Sequence, residues 1–561
     1  MRFEASAGII CFKQYLQNYF GRSLGHPVCH YLKQKGSYLA YITVFMGALM
    51  SNLIQKSGGL YVFLQQSISD NEVTSSASYE QLFNDLRKKW RRYDKISLSK
   101  CLLEYIYQTK NARKDISMTF VTATLLLWVI SDTYKQKDIQ PVTSDKALKL
   151  QNALWLLNSH TSIKTLQHKN IALLLRNMIF QQHTLQFDLI RTNFARQWII
   201  FSGLDVSSNL RNSFEEKTGL SVEDSLLVVL FFSLVSKMLE KNFNQCHSVI
   251  MQLINQHENL FSTMFAFRDN KLHSKIVVPD KPSAIYAPTP FVKYPLVEIQ
   301  GIPFVVHPQL AFRTAEMFGY RTVHEHVSSE WQNLTKLIEG YANDRAKQVF
   351  SDNARVDSKV RDLMGGGAAE NCDQVILLDD CILLVEIKSR HVREDKQVSV
   401  NETHLEGVFN DIVLKSHNQL FETHQALQSN KVITPSKKVY WFIVTNDEYN
   451  FANGGLFNEF YPQLKQKRAS LGRSPAGVFV LTLDEYDILI DAHHANKIDL
   501  KTFLSELCLK TESLSADSRF SILEYGDEDL KNHYPEHLKS NFKEAWGRMH
   551  SWMKDFLPSA S

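Results

Sequence analysis

The first half of the chain has hydrophobic and polar positions that follow a helical period. Across residues 1–275, apolar side chains recur about every 3.6 positions, which predicts amphipathic or buried helices. Thr143 and Ser221 precede two of these stretches and have side chains that favour helix N-termini. The pattern therefore predicts a large all-α N-terminal domain over 1–275. Its helices are expected at about 77–95, 97–109, 116–134, 145–158, 168–200, 222–241 and 243–263.

Prolines interrupt this pattern between residues 279 and 308. Seven of the chain's 14 prolines lie there, and proline removes a backbone donor and blocks helix continuation. We therefore expect a Pro-rich linker over 276–325. Within it, VEIQGIPFVVHP (297–308) has two short apolar runs around Gln-Gly and can form a β-hairpin.

Helical and strand-like patterns alternate in the remainder of the chain. Apolar residues at helical spacing predict helices at 328–350 and 411–428, and strand-like runs occur at 354–360 and 437–447. The segment 476–491 reads as a strand followed by a helix. The last residues, 496–561, contain a charged loop and one amphipathic run, so we expect a C-terminal helical extension.

The segment DQVILLDDCILLVEIK, residues 373–388, carries the most specific chemistry. Its two apolar runs have the length of strands, and the Asp379-Asp380 dipeptide between them favours a tight turn. Because side chains alternate along a strand, Glu386 and Lys388 should point the same way, with Asp373 close to Glu386 on the paired strand. Two such carboxylates can hold a hard divalent cation, and the lysine can orient a water or stabilise developing charge. The alternative is an ordinary amphipathic hairpin that ends in a solvated Glu and Lys.

At these residues the chain resembles the PD-(D/E)XK nuclease superfamily. The likeness consists of Asp373, of Glu386-Ile387-Lys388 and of the hairpin between them, with Cys372 where proline is common. The resemblance implies a multidomain α + α/β chain. In that chain, the large all-α N-terminal domain is followed by a restriction-endonuclease-like α/β/α nuclease core over 326–495. It implies Mg²⁺ as cofactor, with Mn²⁺ as a substitute.

The resemblance implies further site residues on the two predicted helices. The first helix of such cores often carries an acid that faces the metal, and here Glu339 and Asp344, four after Gly340, are the candidates. Gln419 lies where many related proteins place a glutamine. The implied catalytic residues are thus Asp373, Glu386, Lys388 and Gln419, and the implied metal ligands are Asp373, Glu386 and either Asp344 or Glu339. For both helices the alternative is a solvated polar face.

Composition sets wide limits on function. Hydrophobic residues make up 44% of the chain and charged residues 22%, as in ordinary globular proteins. The net charge of +4 does not by itself indicate a nucleic-acid binder. Seven cysteines occur without a CxxC pair, which favours a reducing cytoplasm over a zinc or disulfide framework. We see no signal peptide, and the longest uncharged stretch, 36–55, is diluted by polar residues, so no membrane partner is expected.

These observations predict that the protein is a metal-dependent nuclease, with a DNA endonuclease favoured over an RNA nuclease. Bacterial restriction or anti-phage defence is the context that the resemblance implies. The partner is then nucleic acid, and the helical N-terminal domain could serve recognition, homo-oligomerisation or a partner protein. The basic run RKKWRRYDK (87–95) could contact phosphates. The alternative is a catalytically inactive, nuclease-fold protein that binds nucleic acid or regulates.

Overall fold

A computed structural model of the protein divides the chain into two units. The first combines Met1–Phe187 with Phe265–Ala311, and the second combines Asp188–Met264 with Phe312–Ser561. Residues 168–189 of the helix predicted at 168–200, and the stretch 36–55, lie outside the described residues. The structure describes residues 76–108, 116–133, 140–157 in part, 190–239, 242–278, 288–366, 370–389, 410–446, 461–511 and 521–556.

The first unit contains helices and a four-stranded mixed sheet. The strand order is β2-β1-β3-β4, in which β1 and β3 are parallel and the outer pairs are antiparallel. The predicted hairpin at 297–308 is confirmed: Gln300 and Gly301 both have positive φ, as a tight type I′ connection requires. The elements are α1 (Ser76–Trp90), α2 (Lys95–Gln108), α3 (Ile116–Ser131), β1 (Phe265–Arg268), β2 (Lys271–Leu272), β3 (Leu296–Ile299) and β4 (Ile302–Val305).

The basic run at 87–95 has a structural role in this unit. Arg87 and Arg91 both form ion pairs with Asp132 at 2.6 Å, and the indole of Trp90 donates to the same carboxylate at 3.0 Å. Trp90 is 1% exposed and packs on Trp128, so it cannot stack on a base. The phosphate contact expected of the run at 87–95 stays a prediction, in which Trp90 takes no part.

The second unit contains a five-stranded sheet surrounded by helices. The strand order is β5-β6-β7-β8-β9; β5, β6 and β7 are antiparallel neighbours, and β7, β8 and β9 are parallel. Strands β7 and β8 are buried along almost their whole length, which explains their continuous apolar sequence. The strands are β5 (Ala354–Val356), β6 (Gln374–Leu377), β7 (Cys381–Lys388), β8 (Lys438–Thr445) and β9 (Gly477–Thr482).

The described helices of this unit lie both before and after the strands in sequence. A 3₁₀ turn at Ser328–Glu330 precedes α10, and a π-helical turn at Asn410–Leu414 precedes α12. The helices are α4 (Ile190–Ser202), α5 (Asn209–Thr218), α6 (Val222–Met238), α7 (Phe243–Gln256), α8 (Glu258–Ser262), α9 (Pro308–His326), α10 (Trp331–Phe350), α11 (Ser358–Leu363), α12 (Lys415–Ser429), α13 (Pro462–Ala469), α14 (Leu483–His494), α15 (Leu500–Thr511), α16 (Glu528–Lys531) and α17 (Glu536–Phe556).

The α + α/β organisation agrees with the expectation, but the boundaries differ. The predicted all-α domain over 1–275 contains β1 and β2, and its helices from 190 to 262 belong to the second unit. The predicted linker, 276–325, contains β3, β4 and α9. Pro303 lies in β4, an edge strand that tolerates a missing donor, and Pro308 begins α9, where its fixed φ suits a first turn. These prolines therefore mark the positions of elements inside the fold.

Two further expectations are revised in the second unit. The strand predicted at 354–360 ends at Val356 and is followed by α11. The residues 496–561, expected as a separate extension, belong to the same unit as 326–495. Long-range ion pairs explain this, because Asp491 of α14 bonds Arg345 of α10 at 2.9 Å and His533 at 3.0 Å.

Helix α4 joins the same unit through a buried arginine. Arg196 forms ion pairs with Asp484 at 2.9 Å and with Asp487 at 2.8 Å, both on α14. A fully buried guanidinium requires such partners to offset its desolvation. The helices from 190 to 262 therefore belong to the same unit as α14, which lies almost 290 positions after Arg196 in the sequence.

Among the described residues, no single helix is long and apolar enough to cross a bilayer. Helices α5 and α6 together reach that length and composition, with a bend of 45° between them.

Candidate functional site

The hairpin of β6 and β7 brings the motif residues together. Gln374 pairs with Val385 in the antiparallel register, so Asp373 and Glu386 are the next opposed residues. One carboxylate oxygen of Asp373, Oδ2, accepts the backbone N–H of Ile387 at 2.7 Å. Lys388 forms an ion pair with Oε1 of Glu386. The structure thus assembles Asp373, Glu386 and Lys388 as the alternation of strand side chains predicts.

Gln419 holds the lysine from the neighbouring helix α12. The ammonium of Lys388 donates to Oε1 of Gln419 at 2.9 Å, and the Gln419 amide donates to the backbone carbonyl of Asn371 at 3.3 Å. The Lys388 side chain is 18% exposed, so it is confined yet reachable from solvent. Gln419 therefore orients Lys388. Asn371 supports Gln419 in turn, and no sequence pattern singles out this residue.

Burial makes the two carboxylates of the hairpin costly to ionise. Glu386 is 1% exposed, and burial together with the charge of Asp373 raises its pKa to about 8, against the lowering effect of Lys388. Burial also raises the pKa of Asp373, although the Ile387 N–H opposes that shift. Oε2 of Glu386 is buried without a hydrogen-bond partner. No hydrogen bond therefore offsets the free-energy cost of removing this oxygen from water.

Of the two candidate acids on α10, the structure places Glu339 beside the motif. Burial and the charge of Asp373 raise the pKa of Glu339 to about 7, while Lys388 opposes the shift. Asp344 lies on solvent with its side chain 70% exposed, and it pairs with Lys347 at 3.5 Å. Five residues correspond to a rotation of about 140° around a helix. The expectation of Asp344 as a metal ligand is therefore wrong, because its side chain is on another face of α10.

Three more polar residues near Asp373 were not selected from the sequence. Asn343 is one turn after Glu339, Gln374 directly follows Asp373, and Asp357 directly follows β5, opposite Asp373. The charge of Asp357 contributes to the raised pKa of both Glu339 and Asp373. Only the spacing of Asn343 from Glu339, four residues on one helix face, could have indicated that the two act together.

The donor chemistry of the site fits a hard divalent cation. Asp373, Glu386 and Glu339 offer carboxylate oxygens, which Mg²⁺ and Mn²⁺ prefer. A cation would offset their mutual repulsion and would give the unpartnered Oε2 of Glu386 an electrostatic partner. Within the part of the chain that the structure describes, no three His, Cys, Asp or Glu side chains already stand as a ligand group for one ion. Binding would therefore require side-chain adjustment.

Comparisons of the chain with family models, curated proteins and solved structures found no match. The functional argument accordingly depends on the residues and the geometry of this chain.

Proposed function

We propose that the second unit is a metal-dependent nuclease that hydrolyses phosphodiester bonds, with DNA favoured as the substrate. One observation carries the proposal. Asp373, Glu386 and Lys388 meet at the end of one buried hairpin, and the carboxylate of Glu386 keeps an unpartnered oxygen there. Maintaining buried, repelling carboxylates costs stability, and such costs are common at sites of binding and catalysis.

The order of elements supports this proposal. After Asp373 the chain runs strand, strand, helix, strand through β6, β7, α12 and β8, and α10 precedes them. This is the order that the resemblance to the PD-(D/E)XK superfamily implies for its core. It is an argument from analogy of fold, and restriction or anti-phage defence is proposed on the same basis alone.

The residues divide the chemistry of hydrolysis among them. Asp373, Glu386 and Glu339 would hold Mg²⁺, which when bound supplies positive charge and lowers the pKa of water. Lys388 orients the attacking water or stabilises charge on the phosphoryl oxygens, and Gln419 keeps its ammonium in place. In the reaction a water oxygen bonds to phosphorus and the bond to the leaving oxygen breaks. The attacking water gives up one proton to the solvent, and the leaving oxygen takes up one proton from it.

A second candidate function is a catalytically inactive protein that binds nucleic acid or regulates another protein. It is favoured by the lack of an assembled three-residue ligand group among the described residues. The two candidate functions differ in the effect of Mg²⁺ on nucleic acid. A nuclease would cut nucleic acid when Mg²⁺ is added, whereas an inactive protein would bind it and leave it uncut.

A substrate panel tests the proposal. Purified protein is incubated with supercoiled plasmid, linear duplex, single-stranded DNA and RNA, each in Mg²⁺, in Mn²⁺ and in EDTA. We expect metal-dependent cleavage, with DNA cut in preference to RNA. Binding without cleavage in either metal would favour the inactive alternative, and preferential cutting of RNA would reassign the substrate.

Glu339 and Asp344 should differ sharply in their effect on cleavage. Glu339→Gln removes an acid beside Asp373, so we expect cleavage to fall roughly 10- to 100-fold with loss of a metal carboxylate. Asp344→Asn removes the same charge from an exposed position on the same helix and should leave the rate unchanged. The comparison is made from initial cleavage rates at saturating Mg²⁺, with thermal melting as a folding check. Equal losses in both variants would contradict the assignment of Glu339.

Binding of Mg²⁺ should release protons near neutral pH. Glu386, with a pKa of about 8, and Glu339, with a pKa of about 7, are largely or partly protonated at pH 7 without a cation. Because a cation binds the ionised forms, we expect release of about one proton per ion at pH 7 and almost none at pH 9. Calorimetric titration with Mg²⁺ in two buffers of different ionisation enthalpy measures this number. Release that does not fall at pH 9, or that is undiminished in Glu386→Gln, would contradict the site.

A further inference from the structure

A chain of hydrogen bonds connects the candidate site to the core of the second unit. The hydroxyl of Tyr486 donates to Oε1 of Gln374 at 2.7 Å, and the amide of Gln374 donates to Oδ1 of Asn343 at 3.0 Å. The amide of Asn343 then donates to Oδ1 of Asp357 at 3.0 Å. Tyr486 and Gln374 are fully buried and Asn343 is 6% exposed, so the first two bonds are shielded from water, whereas the third ends on the exposed Asp357.

Asp357, the last residue of this series of hydrogen bonds, determines the direction of every bond in the series. An ionised Asp357 can only accept, so Asn343 must present its amide nitrogen to it. The oxygen of Asn343 then faces Gln374, which must donate, and the oxygen of Gln374 faces Tyr486, which must donate in turn. Each group therefore has a single role, as expected where a buried polar network specifies one arrangement.

The bonded residues belong to the elements that carry the candidate acids. Asn343 is on α10, one turn after Glu339, and Gln374 begins β6 directly after Asp373. Asp357 follows β5 with φ of 52°, a conformation that few residues other than Gly, Asn and Asp adopt readily. The Asn343–Gln374 bond thus joins the helix that carries Glu339 to the strand that follows Asp373.

We propose that Asn343 is a positioning residue that sets the spacing between Glu339 and Asp373 through its bonds to Gln374 and Asp357. The inference deepens the proposed nuclease function and rests on it. Asn343 does not touch the reacting atoms in this account. Its effect is to keep two carboxylates of the cation site at one separation, and a displacement of about 1 Å in such a site can cost on the order of a hundredfold in rate.

An exchange of the amide and the carboxylate tests the proposal. Asn343→Asp keeps the bond from Gln374, since Asp accepts, but places two carboxylates against each other at positions 343 and 357. We expect kcat to fall roughly 10- to 100-fold and the rise of activity with pH to move to higher pH. The double variant Asn343→Asp with Asp357→Asn restores a donor opposite an acceptor at unchanged net charge. It should recover cleavage to within about threefold of wild type, since a hydrogen bond of the same type is re-formed.

The readouts separate positioning from folding and from the proposed function. Asp362→Asn, which removes an exposed charge from α11, is the matched control and should cut as wild type does. Affinity for Mn²⁺, measured by calorimetry, should fall in Asn343→Asp and recover in the double variant. A double variant that cuts no better than Asn343→Asp would overturn the proposal, as would wild-type cleavage by Asn343→Asp. If Asn343→Asp does not fold, a double variant that folds but has lost cleavage more than tenfold overturns it.

If the wild type cuts no substrate, the nuclease proposal fails, and the Mn²⁺ affinities alone decide the positioning role. Equal Mn²⁺ affinity in the wild type and Asn343→Asp would then overturn that role too, as would no Mn²⁺ binding by the wild type.

Discussion

The Glu386→Gln protein should lose cleavage by at least about a hundredfold, because a carboxylate of the proposed cation site is removed, and should nevertheless unfold at a higher temperature than the wild type. Glutamine has the size of glutamate and can still accept from Lys388. It carries no charge that burial penalises. A gain in stability with a loss of activity is expected where a functional group is held in an unfavourable environment.

The stability gain should depend on pH with a definite sign. The pKa of Glu386 is raised from 4.5 to about 8 in the folded protein, so the folded state binds the proton more tightly than the unfolded state. The wild type therefore incurs no penalty below pH 4.5, and the penalty grows until pH 8. We expect Glu386→Gln to gain on the order of 2–5 kcal/mol in unfolding free energy at pH 8 and much less at pH 5.

Urea unfolding of both proteins at pH 5 and pH 8 measures this difference. The same gain at both pH values, or a loss at pH 8, would contradict the burial of an ionisable Glu386. Asp344→Asn is the control, because its exposed carboxylate should leave the unfolding free energy almost unchanged.

Lys388→Met should also lower the cleavage rate by about a hundredfold or more. Unlike Glu386→Gln, it should lower the unfolding free energy. The ammonium of Lys388 is the ion-pair partner of Glu386. Its removal leaves a buried carboxylate without a counter-charge, a change that is strongly destabilising when a buried pair loses one partner. At pH 9, where most of Glu386 is ionised beside Lys388, we expect a loss of about 1 kcal/mol, because at higher proton concentration the carboxyl can protonate instead.

A double-mutant cycle with Glu386→Gln checks this account of Lys388. In the Glu386→Gln background no buried charge at position 386 is left unpaired, so Lys388→Met should cost much less stability there. Unfolding free energies of the four proteins at pH 9 provide the measurement. Additive effects would show that the two side chains do not interact as the structure indicates. Lys347→Met, at an exposed position, serves as the control.

The sequence was sufficient for the parts of the site that depend on local pattern. Strand alternation predicted that Glu386 and Lys388 share a face, and the turn at Asp379-Asp380 predicted the pairing that brings Asp373 to Glu386. Helical spacing located α10 and α12, and therefore also Gln419. Each of these inferences concerns residues within one element or one hairpin.

The predictions that were wrong concern features that depend on contacts between residues distant in sequence. Asp344 matched a spacing pattern, but the choice between it and Glu339 depends on which face of α10 packs on the sheet. The bond from Tyr486 to Gln374 spans 112 positions, and the ion pairs of Arg196 span about 290. Periodicity contains no information about such partners, so the domain boundaries and the supporting amides could be found only in the structure.

Plasmid cleavage shows whether Glu386 belongs to an active centre. Wild type and Glu386→Gln, prepared side by side, are incubated with supercoiled plasmid in Mg²⁺ and in EDTA, and the nicked and linear products are followed over time. We expect cleavage by the wild type in Mg²⁺ only, with Glu386→Gln at the level of the EDTA reaction. Cleavage by Glu386→Gln at the wild-type rate would contradict the claim that Asp373, Glu386 and Lys388 form the active centre.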